Sequence, residues 1–561
     1  MVPQPRLRSF TAALGLICTG LLATSTSCTA QPLSSKKVFT HQDTLRGSIT
    51  PERAWWNVLK YAITVEPDYN AKSIKGTNTI SFAVLQSNSK MQIDLQQPME
   101  LISAKWNNTD IPFKRNGNVF YLSFPNALPT GTTQQITLEF GGKPREAVRP
   151  PWDGGWIWRK DAKGNPWMSV ACQGLGASVW YPCKDHQSDE PDQGAALSII
   201  VPDDLVAIGN GKLASKEATG NAKTKYDWVV INPINSYNIV PYIGKYAYFG
   251  EVYEGEKGRL QCDYWVIDAN LEKAKEQFKQ VPQMMKCFEH WFGPYPFYED
   301  SYKLVESPHL GMEHQSAVAY GNKYQNGYLG NDLSGSGWGK KWDFILIHES
   351  GHEWFANNIT TNDIADMWVH EGFTNYSESL FTECEYGKQA GSEYVIGLRK
   401  NISNDIPVEG PYGVNQEGSG DMYYKGANMI HTIRQIIDND ELFRDILRGL
   451  NKEFYHKTVT ARQVEEYINK RSGKDFSKVY EQYLRTTKIP VLEYKSKKGN
   501  IEYKWTNVVD GFDMPVKVDL GGRTQFIQPT TKWESLKLAD WYTGETFKVD
   551  SNFYVTAKRV K

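Results

Sequence analysis

The chain has 561 residues, with 63 Lys and Arg against 64 Asp and Glu, a formal net charge of −1 and 40% hydrophobic residues. That length suits about three or four domains. The two signs of charge are interspersed without a long basic run, which excludes nucleic acid as a natural partner.

In chain order, Arg6 and Arg8 precede an apolar stretch over residues 10–23, and small residues follow over 24–30. This is the layout of a signal peptide over 1–30, too short in its apolar run for a membrane span. The protein is therefore expected to be exported: periplasmic, secreted or anchored to the outer membrane. Cys28, in STSC, resembles a bacterial lipoprotein box that lacks the usual Leu three positions earlier. A lipid on Cys28 and simple cleavage near Ala30 stay as alternatives, and membrane contact is expected only through such a lipid. Past Cys18 and Cys28, five cysteines remain: Cys172, Cys183, Cys262, Cys287 and Cys384. The odd number leaves at least one free thiol. Cys172 and Cys183 bracket a short loop and are the candidate disulfide.

Residues 31–49 are polar and aperiodic and read as a tether. From 50 to 249 the pattern is β: LKYAITVEP puts Tyr61, Ile63 and Val65 on one face, and KGTNTISFAVL, FYLSF, QITLEF and ALSIIVP follow between turn signals. An antiparallel sheet domain of sandwich or saddle form is expected. Near residue 250 the pattern changes. A helix is expected from Leu271 to about Trp291, broken or kinked at Pro282. Short strands and turns lead from there to residue 340. Beyond Tyr423 four further helical segments follow, one opening at Thr460 with Gln463 completing a capping box. Pro490 closes this region, and alternation returns over 490–561 as a small β domain. The fold class is thus α+β, with a central α/β domain over 250–489.

The chemistry concentrates in IHESGHEWF, residues 347–355, and WVHEGFTNYSES, residues 368–379. His348 and His352, four apart in a helix, stand on one face about 5–6 Å apart at Cβ, close enough to share a metal ion. Gly351 costs that helix about 1 kcal/mol against Ala, so a close approach to its backbone is expected. Catalytic zinc takes three protein ligands and leaves a fourth position open. Eighteen residues separate His352 from Glu371, room for a loop and a returning helix, which makes Glu371 the third ligand of one zinc ion. Glu349, between the histidines, suits a general base acting on water. H-E-x-x-H alone arises by chance in very roughly one chain in a hundred of this length; the following Glu371 strengthens it.

HESGH followed after eighteen residues by the Glu of WVHEGFTNY resembles the gluzincin aminopeptidases of the aminopeptidase N and leukotriene hydrolase family, with a thermolysin-like catalytic domain. The resemblance extends to other segments. HLGMEHQ matches the family's G-x-M-E-N edge strand, which implies that Glu313 holds the substrate α-amine while Gly311 and Met312 pair with the peptide. His314 departs from the family's Asn, a position expected to be structural. Gln173, nine residues before Pro182 and Cys183, matches a Gln that approaches the substrate N-terminus. YYKGA matches the Y-x-K-G motif, which implies Tyr423 as oxyanion donor, with Tyr424 the neighbouring competitor. Glu378 is either an acceptor behind a zinc histidine or a solvated carboxylate. His309, His314 and His370 read as neighbours of the site, not ligands.

The large C-terminal helical domain of many members has no counterpart in the sequence, so a more open cleft admitting longer peptides is expected. The reading is a zinc aminopeptidase acting on peptides with a free N-terminus. Two alternatives stay open: another gluzincin chemistry, endopeptidase or epoxide hydrolase, and a catalytically silent binding protein on a peptidase scaffold.

Overall fold

The alternating run around Tyr61 folds as the strand Trp56–Asp68, with Tyr61, Ile63 and Val65 buried and the residues between them exposed or half-buried. In the computed structural model, which describes residues 38–497, 499–538 and 547–561, this strand lies inside an eight-stranded sheet. The sheet is not wholly antiparallel as expected: Trp56–Asp68 pairs antiparallel with Ser73–Val84 but parallel with Ala195–Pro202. A parallel neighbour needs a long crossover, and here the chain builds most of the domain before returning. The signal peptide over 1–30, the lipid alternative at Cys28 and residues 31–37 lie outside the described residues. Among the described residues no helix is long and apolar enough to cross a membrane.

Part of the expected tether is instead structured. Residues His41–Gly47 form a helix closed by a capping box between Thr40 and Asp43, and Leu45 is buried. Arg46 donates to the Asp185 carbonyl and pairs with the Asp185 carboxylate at 3.2 Å. The buried Arg53 donates to the carbonyls of Arg46 and Ser48 at 3.1 and 2.8 Å and pairs with Asp94 at 2.6 Å. Two helical turns give no readable period, and charge pairs fix the segment more than an apolar face does.

A second sheet follows in the spatial order Tyr246–Gly255, Gly258–Ile267, Tyr302–Glu306, Val318–Tyr320, Gly311–Met312. Its first strand runs through residue 250. Its last, Gly311–Met312, pairs antiparallel with Val318–Tyr320 and forms the edge. Met312 packs into the core of the N-terminal domain while Val318 and Tyr320 pack into that of the central one. The edge strand therefore lies on the seam between two domains.

The expected helix over 271–291 is two helices, Leu271–Gln277 and Val281–Phe292, joined by a 3₁₀ turn at Phe278–Gln280. The break precedes Pro282, which occupies the first turn of the second helix, where its missing N–H has no intrahelical partner to lose. The helix Val281–Phe292 packs on Trp368–Tyr386, and the disulfide joins these two, Cys287 to Cys384. The expected Cys172–Cys183 bond is absent. Both are buried thiols, Cys172 facing the Tyr237 carbonyl at 3.5 Å and Cys183 bridging to Asp94 through its backbone. Nearness in sequence does not aim two Cβ atoms at one another. After the helices Tyr424–Ile437, Asp440–Glu453, Ala461–Ser472 and Ser477–Leu484, the C-terminal residues form a four-stranded and a three-stranded sheet. The fold is α+β.

Alkylation of the unreduced protein followed by peptide mapping is expected to recover Cys287 cross-linked to Cys384, with Cys172, Cys183 and Cys262 alkylated. Closing a loop of 97 residues, the bond should contribute about 2–4 kcal/mol, so Cys384→Ser should lower the denaturation midpoint. A cross-linked Cys172–Cys183 peptide would contradict the structure.

Candidate active site

Two helices carry the metal-binding side chains. Asp343 caps the first, Phe344–Gly351, accepting from the Leu346 amide. His348 lies in its last turn and His352 caps its end. The second, Trp368–Tyr386, carries Glu371 in its first turn. Gly351 explains how closely they approach: a Cβ there would lie 2.6 Å from Ser377 Oγ and 3.2 Å from Thr374 Cγ2. The backbone approach expected at this glycine is the packing of the second helix.

That contact brings Glu371 Oε2 to 3.6 Å from His348 Nε2 and 3.3 Å from His352 Nε2. Each imidazole is held from behind through Nδ1. His348 Nδ1 lies 2.7 Å from Glu378 Oε1, and that carboxylate also accepts from Asn375 Nδ2 at 2.8 Å and the Tyr394 hydroxyl at 2.7 Å. Glu378 is thus a buried acceptor behind His348, not a solvated carboxylate. His352 Nδ1 lies 3.0 Å from the Phe355 carbonyl. This carbonyl points back because helical geometry fails just beyond, with Phe355 at φ −128°, ψ 91° and Ala356 at φ 141°. A left-handed alanine costs on the order of 1–3 kcal/mol, strain of the kind kept at functional sites.

With Nδ1 of each ring facing an acceptor, its proton resides there, and the neutral ring turns a lone pair at Nε2 toward Glu371. Glu371 Oε2 is buried and accepts no hydrogen bond. With both rings neutral, three lone pairs converge on one point, the arrangement a metal ion takes; without the metal, protons on the imidazoles answer Glu371. The donor spacing matches the edge of about 3.3–3.4 Å between donors of a tetrahedral zinc ion with ligand distances of about 2.0–2.1 Å. The donor set fits one zinc ion. Among the described residues, one further group of three brings Glu313, Glu349 and His352 together. Burial opposes charge on His348 and His352, yet Glu371, with Glu378 at His348, raises both, while the two histidines hold Glu371 well below the usual carboxylate range against the effect of burial.

Glu349 turns the other way, toward the edge strand. A Cβ at Gly311 would lie 2.5 Å from Glu349 Oε1, so glycine there gives this carboxylate its place. Burial pushes Glu349 up to about 7, with Glu313 and Glu371 adding to the shift and the histidines opposing it. Next to Gly311 and Met312, Glu313 is 2% exposed. Its Oε1 accepts from the Tyr237 hydroxyl at 3.0 Å and from Gln173 Nε2. Its backbone carbonyl accepts from Asn357 Nδ2 at 2.8 Å. His314, the departure from the family's Asn, is buried with Nδ1 2.6 Å from the Tyr242 hydroxyl. His370 Nε2 accepts from the Thr361 amide at 2.9 Å, and His309 is buried beside His314, so neither joins the metal ligands.

Tyr423 stands immediately before the helix Tyr424–Ile437, its ring beside that of His348 with centroids 6.0 Å apart. Gly426 permits this: a Cβ there would lie 3.0 Å from the Cα of Gly372, the neighbour of Glu371. Burial first, and then Glu371, Glu417 and Glu313, raise the Tyr423 pKa, so its hydroxyl keeps a proton to donate. Tyr424 is raised too, by burial first and then by Glu378.

Two family models, the Peptidase M1 N-terminal domain and the Peptidase family M1 domain, match residues 57–238 and 276–483. The chain belongs to peptidase family M1. Aminopeptidase 2 of Candida albicans is 20% identical over 466 residues, 80% of this chain and 49% of that protein. Leukotriene A-4 hydrolase of Xenopus laevis is 21% identical over 446 residues, 75% of this chain and 68% of that protein. The chain thus spans about half the length of the first. An M1 zinc metallopeptidase from Deinococcus radiodurans, solved as a mutant with a Tyr-Ser-Ala substrate, shares the fold at a TM-score of 0.67 and 18% identity, over 79% of this chain and 98% of that one.

The sequence did not single out Tyr237 or Asn357 in this M1 site. Tyr237 comes from a 3₁₀ turn of the N-terminal domain and Asn357 from the irregular turn after His352. Neither lies in a motif, although N-S-Y-N with its Asx cap marks the first as a fixed turn. Because Glu378 orients His348 without touching the metal position, Glu378→Gln is expected to weaken zinc binding by about 10–100-fold in competition with a chelator. Unchanged affinity would contradict this role.

Proposed function

We propose that the protein is an exported zinc-dependent aminopeptidase that releases the N-terminal residue of peptides. The observation that carries this reading is Glu313, a buried carboxylate fixed by Tyr237 and Gln173 on one oxygen, beside the three convergent metal ligands. An exopeptidase must hold the terminal ammonium, and a fixed carboxylate in a partly dry cleft does so best. Among the described residues, both side-chain donors to this carboxylate reach Oε1, which leaves the Oε2 side to the ammonium.

His348, His352 and Glu371 would hold the zinc. When bound, it would polarise a peptide carbonyl and acidify water toward a pKa of about 7. Glu349, backed by Gly311, takes the proton of the attacking water and passes it to the leaving amine. Tyr423 donates to the oxygen on which negative charge develops. Gly311 and Met312, at the sheet edge, offer an edge strand against which an extended peptide can pair. Export is supported by the charged, apolar and small-residue layout of residues 1–30.

Release of a fluorophore from free-amine aminoacyl amides is the test. Release should require metal, stop with a chelator, and resume on adding zinc. Glu313→Ala should abolish it while zinc stays bound. Equal cleavage of N-acetylated peptides would instead support the endopeptidase alternative. Separately, Tyr423→Phe should lower kcat by about 10²–10³-fold with KM little changed; a change confined to KM would remove Tyr423 from the chemical step.

A further inference from the structure

Glu417 lies close enough to Glu371, Glu313 and Tyr423 for their charges to interact, yet the reaction above has no use for it. It is 9% exposed, and its carboxylate has no hydrogen bond or ion pair among the described residues. Two other buried carboxylates of the site are met by donors, Glu378 by Asn375 and Tyr394 and Glu313 by Tyr237 and Gln173, while Glu371 and Glu349 have the roles at the metal and on water given above. The backbone around Glu417 is fixed. The Ser419 amide donates to the Pro407 carbonyl at 2.9 Å. A Cβ at Gly418 would lie 2.0 Å from the Val408 carbonyl oxygen, and one at Gly410 2.8 Å from the Glu417 carbonyl carbon. The loop is pressed against residues 407–410, and Glu417 does not move away without rebuilding it.

The loop is also tied to the ammonium pocket. Asn415 Nδ2 donates to the Gly174 carbonyl at 2.8 Å, one residue past Gln173, whose amide rests on Glu313. Glu371 and Glu313 both act on the Glu417 carboxylate, and Glu417 in turn acts on Tyr423. Burial and these two charges push its carboxyl up to about 7. A carboxyl held in this position without a counter-ion is neutralised by a proton until a cation from outside takes the proton's place. Glu313 already serves the α-ammonium, so the second fixed carboxylate answers a second positive charge on the same substrate. A peptide beginning with arginine or lysine carries two cations only a side chain's length apart.

We propose that Glu417 is a specificity-determining residue that receives the cationic side chain of a basic first residue, arginine above all for its two-pronged donor geometry. This rests on the aminopeptidase reading. Its test compares arginyl and citrullyl amides of one fluorophore, which differ in charge but hardly in shape, on the zinc-loaded mature protein and its Glu417→Gln variant. The wild type should favour arginine by at least about tenfold in kcat/KM, and the variant should bring that ratio to about one. A wild-type ratio near one overturns the proposal without any variant, so it stays testable even should Glu417→Gln not fold. A ratio retained in Glu417→Gln, including an equal loss on both substrates, overturns it as well. Failure of the underlying reading has a separate signature: no release from alanyl, citrullyl or arginyl amides by the zinc-loaded wild type, which would overturn both.

Discussion

The convergence of three lone pairs, from His348, His352 and Glu371, is the constraint on which the rest of the site depends. Such an arrangement is repulsive until a cation fills it, so the fold must impose it. Two helix contacts through glycine do so. Gly351 lets the second helix lie against the first, which sets the distance from Glu371 to the imidazoles. Gly426 against Gly372 brings in the third helix and with it Tyr423. A side chain at either contact would enlarge the site by tenths of an ångström to an ångström, the scale on which metal geometry and oxyanion contact are decided. Behind the ligands, Glu378 and the strained turn at Phe355 and Ala356 fix the rings. That strain has a use, because a helical Phe355 would carry its carbonyl away from His352.

The second organising feature is the seam between domains. The N-terminal domain contributes Gln173 and Tyr237, the central domain contributes Glu313, and beside it Met312 lies in the core of the former while Val318 and Tyr320 of the neighbouring strand lie in that of the latter. The ammonium pocket thus exists only when both domains are docked. The N-terminal segment strengthens that docking: Arg46 reaches Asp185, and Gly47 lies so close to Val414 and Asn415 that a Cβ there would be 2.2 Å from the Asn415 amide. Stretches far apart in sequence, 41–53, 173–185 and 410–417, meet at one rim of the cleft.

What the sequence made legible follows from these physical origins. The metal ligands are spaced by the helix period and one loop, so their grouping could be read locally. Glu313, Gln173 and Tyr423 were reachable only through a family resemblance, because nothing in their own neighbourhoods demands a cleft. Tyr237, Asn357 and Glu417 were not singled out, since their importance arises from tertiary approach alone. The disulfide was misplaced for the same reason: Cys172 and Cys183 are close along the chain, whereas Cys287 and Cys384 are close because two helices pack. The helix at His41 escaped notice since seven residues carry no measurable period, and the parallel pair in the first sheet since alternation does not encode strand direction.

The most direct test of the account is X-ray absorption at the zinc edge on the mature protein, together with its metal content. The structure requires one zinc per chain with nitrogen and oxygen neighbours only, at about 2.0–2.1 Å, including the outer-shell pattern of two imidazoles. Sulfur scattering at about 2.3 Å, or a protein that stays metal-free in excess zinc, would contradict the claim that His348, His352 and Glu371 are held together to bind one zinc ion.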